Sequence, residues 1–506
     1  MKQPIIPGFY PDPSACRVGS DFYLACSSFE YFPGLPIFHS RDLIHWKQIG
    51  HVLDRSEQLD LGRVHSSRGI WAPALRHHQG KFYLVTTCMF PEGGKQLLFT
   101  ATNPQGPWSD PVETGWDTAD PSLFFDEDGR IYLPCCRRAP TQPQGIYLSE
   151  LDQNTFRIRE EPRMIWEGSG GSYPEGPHLF RRGGWIYLLV AEGGTQGGHM
   201  ETVARALSPW SPYEPCPRNP ILTNRHIQRE TWQGIGHADR VVDPHGKEWL
   251  VLHGYRYAKE FFHPLGREVL LAPLTWSENG WPTIEPDGTI RDEVPPTGLP
   301  EHSWPVEKSG LFSPEGGLGM QWVSLRGRKK DHYRTDRKPD TLSLNGEGLS
   351  LETSPQPTAV FHRQQHFEFV ADVLIDFPST GPEGSAGLTV FYDQEHHYDF
   401  RITRAGSGLC LELYRRIGDL AAVTHRCPLD TGPWRLRVRG NRHFYSFSRA
   451  VQNGWEELGT ARIEYVCTEA TPVSFTGVMI GLFSESQEVG ESWADFREFC
   501  YRPEKA

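Results

Sequence analysis

Three acidic residues of this 506-residue chain stand next to proline in short polar turns: Asp12 in Tyr10-Pro11-Asp12-Pro13-Ser14, Asp120 in Ala119-Asp120-Pro121-Ser122, and Glu175 in Pro174-Glu175-Gly176-Pro177. Carboxyl groups gathered in one enclosed place cannot all ionise without repelling one another, so their pKa values separate. Cleavage of a glycosidic bond needs that separation. One carboxyl stays protonated to donate to the leaving oxygen, and another stays ionised to activate water or attack carbon. Glu175 is the expected general acid: it has the longer side chain, sits in a stiff Pro-Gly-Pro turn, and has Tyr173 nearby to limit solvent. Asp12 is the expected general base. Asp120 would orient Glu175 and raise its pKa as a nearby negative charge, Arg267 would bind sugar hydroxyls and offset the acids, and Trp71 and Phe29 offer apolar faces to a sugar ring. Any one of these acids taken alone reads more readily as a turn residue whose carboxylate bonds to local backbone N–H groups.

Recurrence changes that reading. The stretch from Asp120 to Leu133, DPSLFFDEDGRIYL, has four counterparts, in which a polar or aromatic opening leads through a short apolar run and a Gly-containing turn to an aromatic strand. Counted from Asp12, Ala72, Asp120, Glu175 and His237, which lie 48 to 62 residues apart, the aromatic follows 11 or 12 residues later each time. Repeats of this length with several short strands are propeller blades, four strands to a blade around a central channel. Equivalent positions in a circular repeat converge, so these five should meet near the axis. His237 reads equally well as support for the channel or as help to a bound ion or sugar.

Composition agrees with a turn-rich β-protein: aromatics make up 12%, with 51 Gly and 42 Pro. A formal net charge of −12 with no basic tract argues against a nucleic-acid partner. No secretory h-region opens the chain, and no run of 18 apolar residues could span a bilayer, so a reducing cytosol is the simplest home and no membrane partner is expected. The ten cysteines have neither ligand nor framework spacing, and Cys135-Cys136 reads as packing.

Residues 1–300 are read as the five-bladed propeller and 301–506 as a β-sandwich, joined through the Pro-, Gly- and charge-rich stretch Glu285 to Pro305. In the second part Phe367, Phe369, Ala371, Val373, Ile375 and Phe377 would share a buried face opposite Glu368, Asp372 and Asp376, and Trp434, Leu436 and Val438 alternate with Arg435, Arg437 and Arg439 in the same way. One buried and one wet face predict two packed sheets. Gly440-Asn441 marks a hairpin turn before Phe444.

The motifs Gly8 to Ser14, Ser28 to Gly34, Gly69-Ile70-Trp71-Ala72-Pro73, Asp120 to Phe124, Glu175 to Leu179 and Gly266-Arg267-Glu268 together resemble glycoside hydrolase family 43, in its two-domain β-xylosidase/α-L-arabinofuranosidase form. That resemblance implies an all-β fold, a five-bladed propeller followed by a concanavalin-like sandwich. It also implies an inverting mechanism with Asp12 as base, Asp120 as pKa modulator and Glu175 as acid, and substrate-binding positions at Phe29, Trp71, Ala72, Thr195, His237, Arg267 and Phe475. Phe475, in Phe475-Thr476-Gly477, would come from a sandwich loop that helps close a short, blind pocket. The implied activity releases xylose from the non-reducing end of β-1,4-xylo-oligosaccharides and also cleaves α-L-arabinofuranosides. Alternatives are a mainly arabinofuranoside- or arabinan-cleaving enzyme and a non-catalytic carbohydrate-binding propeller. No cofactor is required. A calcium ion in the channel near His237 is the one ion the resemblance allows, although His is not a usual ligand for so hard a cation. A homo-oligomer stays open. Where xylosidases of this type often carry aromatics for the leaving-group sugar, this chain has Cys135-Cys136-Arg137-Arg138, so the second subsite is expected to differ.

Overall fold

Short runs rich in Phe, Tyr, Ile, Leu and Val, bounded by Gly and Asp turns, form strands in every repeat. In the computed structural model, which describes residues 2–137, 143–227, 232–284, 287–305, 310–312, 317–406, 408–471, 474–488 and 490–504, the first repeat pairs Ser14–Val18, Asp21–Ala25, Gly34–Ser40 and Lys47–Leu53 in that order. Four more four-stranded sheets begin with Gly69–His78, Phe124–Phe125, Glu175–Arg182 and Gln233–Val242. These are the five blades of the propeller. No helix among the described residues is long and apolar enough to cross a membrane.

Apolar faces of neighbouring blades pack on each other. Phe22 and Leu24 of the first blade share a cluster with Trp249, Val251 and Leu271 of the fifth, and Tyr132 and Leu148 of the third share one with Leu188 and Val190 of the fourth. Each such side chain, fully buried, contributes roughly 1.5–3 kcal/mol. The ring is tied shut at the N-terminus, where Gln3 Nε2 donates to Leu271 O at 2.7 Å and Val269 N to Ile6 O at 3.1 Å.

A buried polar belt joins the blades near the axis. Ser14 Oγ donates to Asp239 Oδ2 at 2.5 Å, Arg76 Nη1 to the same oxygen at 2.6 Å, Arg76 Nη2 contacts His178 Nδ1 at 2.8 Å, and Ser122 Oγ donates to Pro177 O at 2.6 Å. Burial pushes His178 down to about 3, so its ring is neutral and accepts from the guanidinium. Burial alone would raise Asp239; the Arg76 charge beside it, foremost among its neighbours, holds it below the ordinary carboxylate value.

The first compact unit comprises residues 1–59, 68–256 and 267–304, and the second residues 60–67, 257–266 and 305–506. The boundary therefore falls at 304 instead of 300, and two short segments that the sequence places inside the propeller belong by contact to the sandwich unit. Bonds made within that unit explain this. Arg326 Nε donates to Val64 O at 2.5 Å, Val478 N to Pro264 O at 2.8 Å, and Phe475 N to Ser67 Oγ at 3.1 Å. Glu285, where the linker was expected to start, lies outside the described residues.

The sandwich unit holds a seven-stranded and a six-stranded antiparallel sheet. Phe369–Asp376 pairs with Trp434–Gly440 so that Ile375 faces Trp434, Val373 faces Leu436 and Ala371 faces Val438, apolar against apolar, while Asp372 stands opposite Arg437. All six alternating residues from Phe367 to Phe377 are buried in one core. Asn441 Oδ1 caps the hairpin by accepting from His443 N at 2.7 Å and Phe444 N at 2.9 Å. The expectation of a wet outer face fails at Asp372 of the seven-stranded sheet, which is buried under Arg435, Arg437 and Arg502, and again on the six-stranded sheet. There His397, Asp399 and Glu412 are buried, His397 Nδ1 lying 2.9 Å from Asp399 Oδ1 and Glu412 accepting from Arg401, Thr403 and Arg426, while the loop at Leu351 bonds to the neighbouring Glu485 at 3.1 Å and Gln394 at 2.9 Å.

Candidate active site

One backbone feature recurs once per blade and fixes where the side chains of interest start. Asp12, Ala72, Asp120, Gly176 and His237 all have left-handed φ, at 55°, 40°, 50°, 57° and 52°. In the second, fourth and fifth blades the ladder slips at this point, between Trp71 and Ala74, Glu175 and His178, and Gly236 and Asp239. An extra residue in one strand re-aims the side chains beside it. The seat selects its occupants: Asp and His tolerate left-handed φ better than most residues, and Gly adopts it without strain. Glu175 is thus not equivalent to Asp12 and Asp120. Gly176 occupies their position, one residue on, and Glu175 matches Trp71 and Gly236.

The five seats meet. Asp12 Oδ2 accepts from Ser27 Oγ at 2.5 Å, and Ser27 Oγ accepts from Ala72 N at 2.7 Å. Asp12 Oδ1 lies 3.7 Å from His237 Nδ1, a Cβ built on Gly176 would lie 3.0 Å from the His237 ring, and Gly176 N donates to Asp120 Oδ2 at 3.2 Å. A chain of contacts therefore runs through all five blades, with Glu175, 4% exposed, next to its Gly176 link.

Asp12 is held at both carboxylate oxygens. Arg267 Nη1 donates to its Oδ1 at 2.7 Å, and its own N–H donates to His253 Nδ1 at 3.1 Å. Burial alone would raise its pKa, but its neighbours, Arg267 foremost, outweigh that and hold the carboxyl well below the usual range. It is ionised at any working pH. Burial and the adjacent guanidinium push His253 down to about 3, so it stays neutral and accepts the Asp12 N–H.

Phe29 and Trp71 lie with ring centroids 6.3 Å apart, 2% and 8% exposed, and the Arg267 guanidinium stands 6.0 Å from the Phe29 ring. Thr195 is half-buried in the turn after Trp185–Glu192, and Phe475 belongs to the second unit. Tyr173 is 49% exposed, while Glu175, two residues on, is 4% exposed. The turn before Glu175 is held by Glu192, whose Oε1 accepts from Ser169 N and whose Oε2 accepts from Gly171 N, both at 2.8 Å. Ser27, His253 and Glu192 were not singled out by sequence. Ser27 adjoins the Ser28 to Gly34 motif, but nothing in its spacing shows that it reaches Asp12. Cys135 and Cys136 are fully buried in two different inter-blade clusters, and Arg138 lies outside the described residues.

Calcium would find few direct protein ligands here. Among the described residues no group of three or more His, Cys, Asp or Glu side chains is arranged to hold a metal, and around His237 stand the His253 ring and, at 3.7 Å, the Asp12 carboxylate, so an ion that takes six to eight oxygens would draw most of them from water. His253 Nε2 and Glu201 Oε1 are buried without a hydrogen-bond partner, a polar lining suited to water.

Residues 1–282 match the family model described as Glycosyl hydrolases family 43. The chain belongs to that family. Residues 312–502 of this family 43 protein match a second model, described as Beta xylosidase C-terminal Concanavalin A-like domain. It is 37% identical to a non-reducing end alpha-L-arabinofuranosidase of Bacteroides ovatus, covering 99% of this chain and 94% of the relative, and 39% identical to a xylosidase/arabinosidase of Butyrivibrio fibrisolvens, covering 98% of each. A solved xylan beta-1,4-xylosidase from Bacillus halodurans superposes with a TM-score of 0.93 at 33% identity, covering 99% of this chain and 100% of that one. The protein is a glycosidase.

Proposed function

We propose that the enzyme releases xylose from the non-reducing end of β-1,4-xylo-oligosaccharides with inversion, and hydrolyses α-L-arabinofuranosides in the same site. The observation that carries this reading is the chain of contacts from Ala72 through Ser27, Asp12, His237 and Gly176 to Asp120, which gathers the acids of three blades at one place. Asp12, kept ionised by Arg267, suits a base that takes a proton from water. Glu175 donates to the leaving oxygen, and Asp120, bonded to the next residue's N–H, steadies the acid's backbone. Inversion requires the two working carboxyls to stand on the order of 6.5–9.5 Å apart, with water between. Substrate choice follows the relatives' names, which include both xylosidase and arabinofuranosidase.

A second reading makes arabinofuranosides the main substrates. Cys135 and Cys136 are buried in blade cores, so they offer no aromatic face to a leaving-group xylose. One experiment addresses both. Xylobiose and arabinofuranosyl oligosaccharides are compared, with the product anomer followed by NMR from the first turnover. Newly formed α-xylose, in excess over the equilibrium anomers of the leaving xylose, supports the first reading; newly formed β-xylose from the non-reducing unit would overturn inversion. Turnover of arabinofuranosides alone would favour the second. Asp12→Ala and Glu175→Ala should each abolish turnover of an unactivated oligosaccharide while the protein stays folded, and near-normal activity in either rejects its assigned role.

A further inference from the structure

The sandwich unit carries a cavity of about 350 Å³ that the reaction does not use. It opens on the outer face of the six-stranded sheet, beside the loop at Leu351, and its polar lining includes Ser350, Glu352, Arg401, Thr403 and Glu485. Its size lies at the lower end of the range for small-molecule sites, roughly 300–1,000 Å³.

The lining excludes ligand classes one by one. A cation is disfavoured, because no three carboxylates among the described residues converge as metal ligands and Glu485 already accepts from Ser385 Oγ at 2.7 Å, Arg401 Nη1 at 3.2 Å and Leu351 N at 3.1 Å. An anion would meet Glu352, Glu383 and Glu485, against Arg401, which is already paired, and Arg404, whose Nε and Nη1 donate to the Pro382 and Pro378 carbonyls. An apolar ligand finds little surface, since the Arg401 guanidinium covers the Tyr414 ring at 4.2 Å. What remains is a neutral molecule whose groups both donate and accept. Glu352, which accepts from the Tyr414 hydroxyl, and Glu485 keep further lone pairs for sugar hydroxyls, the Ser350 hydroxyl, which accepts from Glu352 N, can donate, and Thr403 Oγ1, which donates to Glu412 at 3.1 Å, can accept.

We propose that this cavity is a second, non-catalytic saccharide site that holds a short segment of the same pentose polymer the enzyme degrades. Its ligand class rests on the proposed activity; its existence rests on the cavity. Holding one part of a chain there raises the local concentration of chain ends at the catalytic site.

The test is calorimetry with xylohexaose on the Glu175→Ala protein, alone and with Thr403→Tyr, which fills the cavity, or Glu352→Gln, which keeps its shape. The expected result is about two xylohexaose molecules per chain, falling to about one with Thr403→Tyr, and sandwich-site affinity weakened about tenfold with Glu352→Gln. Should Thr403→Tyr fail to fold by thermal melting, Glu352→Gln alone decides. Equal stoichiometry and affinity in all three proteins overturns the proposal, as does a plugged protein that changes oligomeric mass on size exclusion with xylohexaose binding unchanged, which assigns the cavity to a contact between copies. A fall from one molecule to none keeps the sandwich site and removes the proposed catalytic one, so the two failures are distinguishable.

Discussion

Ser27→Ala tests whether Asp12 is an aimed base or a turn residue. Ser27 Oγ donates to Asp12 Oδ2 at 2.5 Å and accepts from Ala72 N at 2.7 Å, and both partners are buried. A hydrogen bond to a charged group contributes about 1.5–3 kcal/mol, and a buried N–H left unpaired costs about 1–3. The variant should therefore lose roughly 2.5–6 kcal/mol, which for a unit of this size lowers Tm by on the order of 5–15 °C. Catalysis suffers separately. With Oδ2 released, the carboxylate swings about its bond to Arg267, and a misplacement near 1 Å costs about a hundredfold, so kcat/KM on xylobiose should fall about 10- to 100-fold.

The pH profile separates aim from ionisation. Losing a hydrogen bond to its ionised form raises the Asp12 pKa, from a wild-type position that Arg267, His237 and His253 hold well below the ordinary carboxylate value against the effect of burial. The acid limb of kcat/KM should move to higher pH, with the neutral-pH loss intact. A folded Ser27→Ala protein with wild-type kcat/KM would refute the aiming argument. So would full recovery of activity on raising the pH, since that would leave protonation as the whole effect.

Other outcomes follow from the seats and the belt. Gly176→Ala places a Cβ 3.0 Å from the His237 ring at φ 57°, and should lose about 1–3 kcal/mol in urea unfolding and about a hundredfold in kcat. Ala72→Gly relieves a side chain held at φ 40° and should raise stability by about 0.5–1 kcal/mol in the same assay. Arg76→Met leaves Asp239 charged and unpaired, and should cost about 3–5 kcal/mol. Asp12 and Asp239 both have folded pKa values below their unfolded ones, so the unfolded chain binds more protons in acid. Their stabilisation is complete above about pH 4 and is lost as pH falls through the folded values, a loss that Arg76→Met should shift to higher pH in acid-unfolding curves.

The blade plan was legible because the repeat states it five times, and Phe369–Asp376 because its alternation is strict. The seat itself was legible only to within one residue. Spacing to the aromatic is 11 from Asp12 and Ala72 and 12 from Asp120 and His237, so it fits both Glu175, at 12, and Gly176, at 11; only φ shows that Gly176 holds the seat. Ser27, His253 and the Arg76–Asp239 pair act across blades, and a side chain reaching from one blade to another leaves no periodic trace. Residues 60–67 and 257–266 follow their hydrogen bonds into the sandwich unit, which no local pattern announces. The buried outer face around His397 was missed because alternation reports which residues leave the core and not whether polar neighbours then bury them.

The offset between the proposed acid and the proposed base has a physical reason. A left-handed seat admits Asp and Gly readily and a long side chain poorly, so it suits the short, fixed base proposed at Asp12, but not the Glu proposed to reach across a substrate. Glu175 stands one residue earlier, where its backbone needs no special φ, and the seat beside it is given to Gly176, the residue that also lets His237 approach. A circular repeat would by itself supply equivalent carboxyls at equal reach. The one-residue displacement in the fourth blade breaks that equivalence, giving one carboxyl on a short arm locked to Arg267 and another on a longer arm beside a glycine. Separate reach is the condition for placing a proton on the leaving oxygen while water enters from the other side.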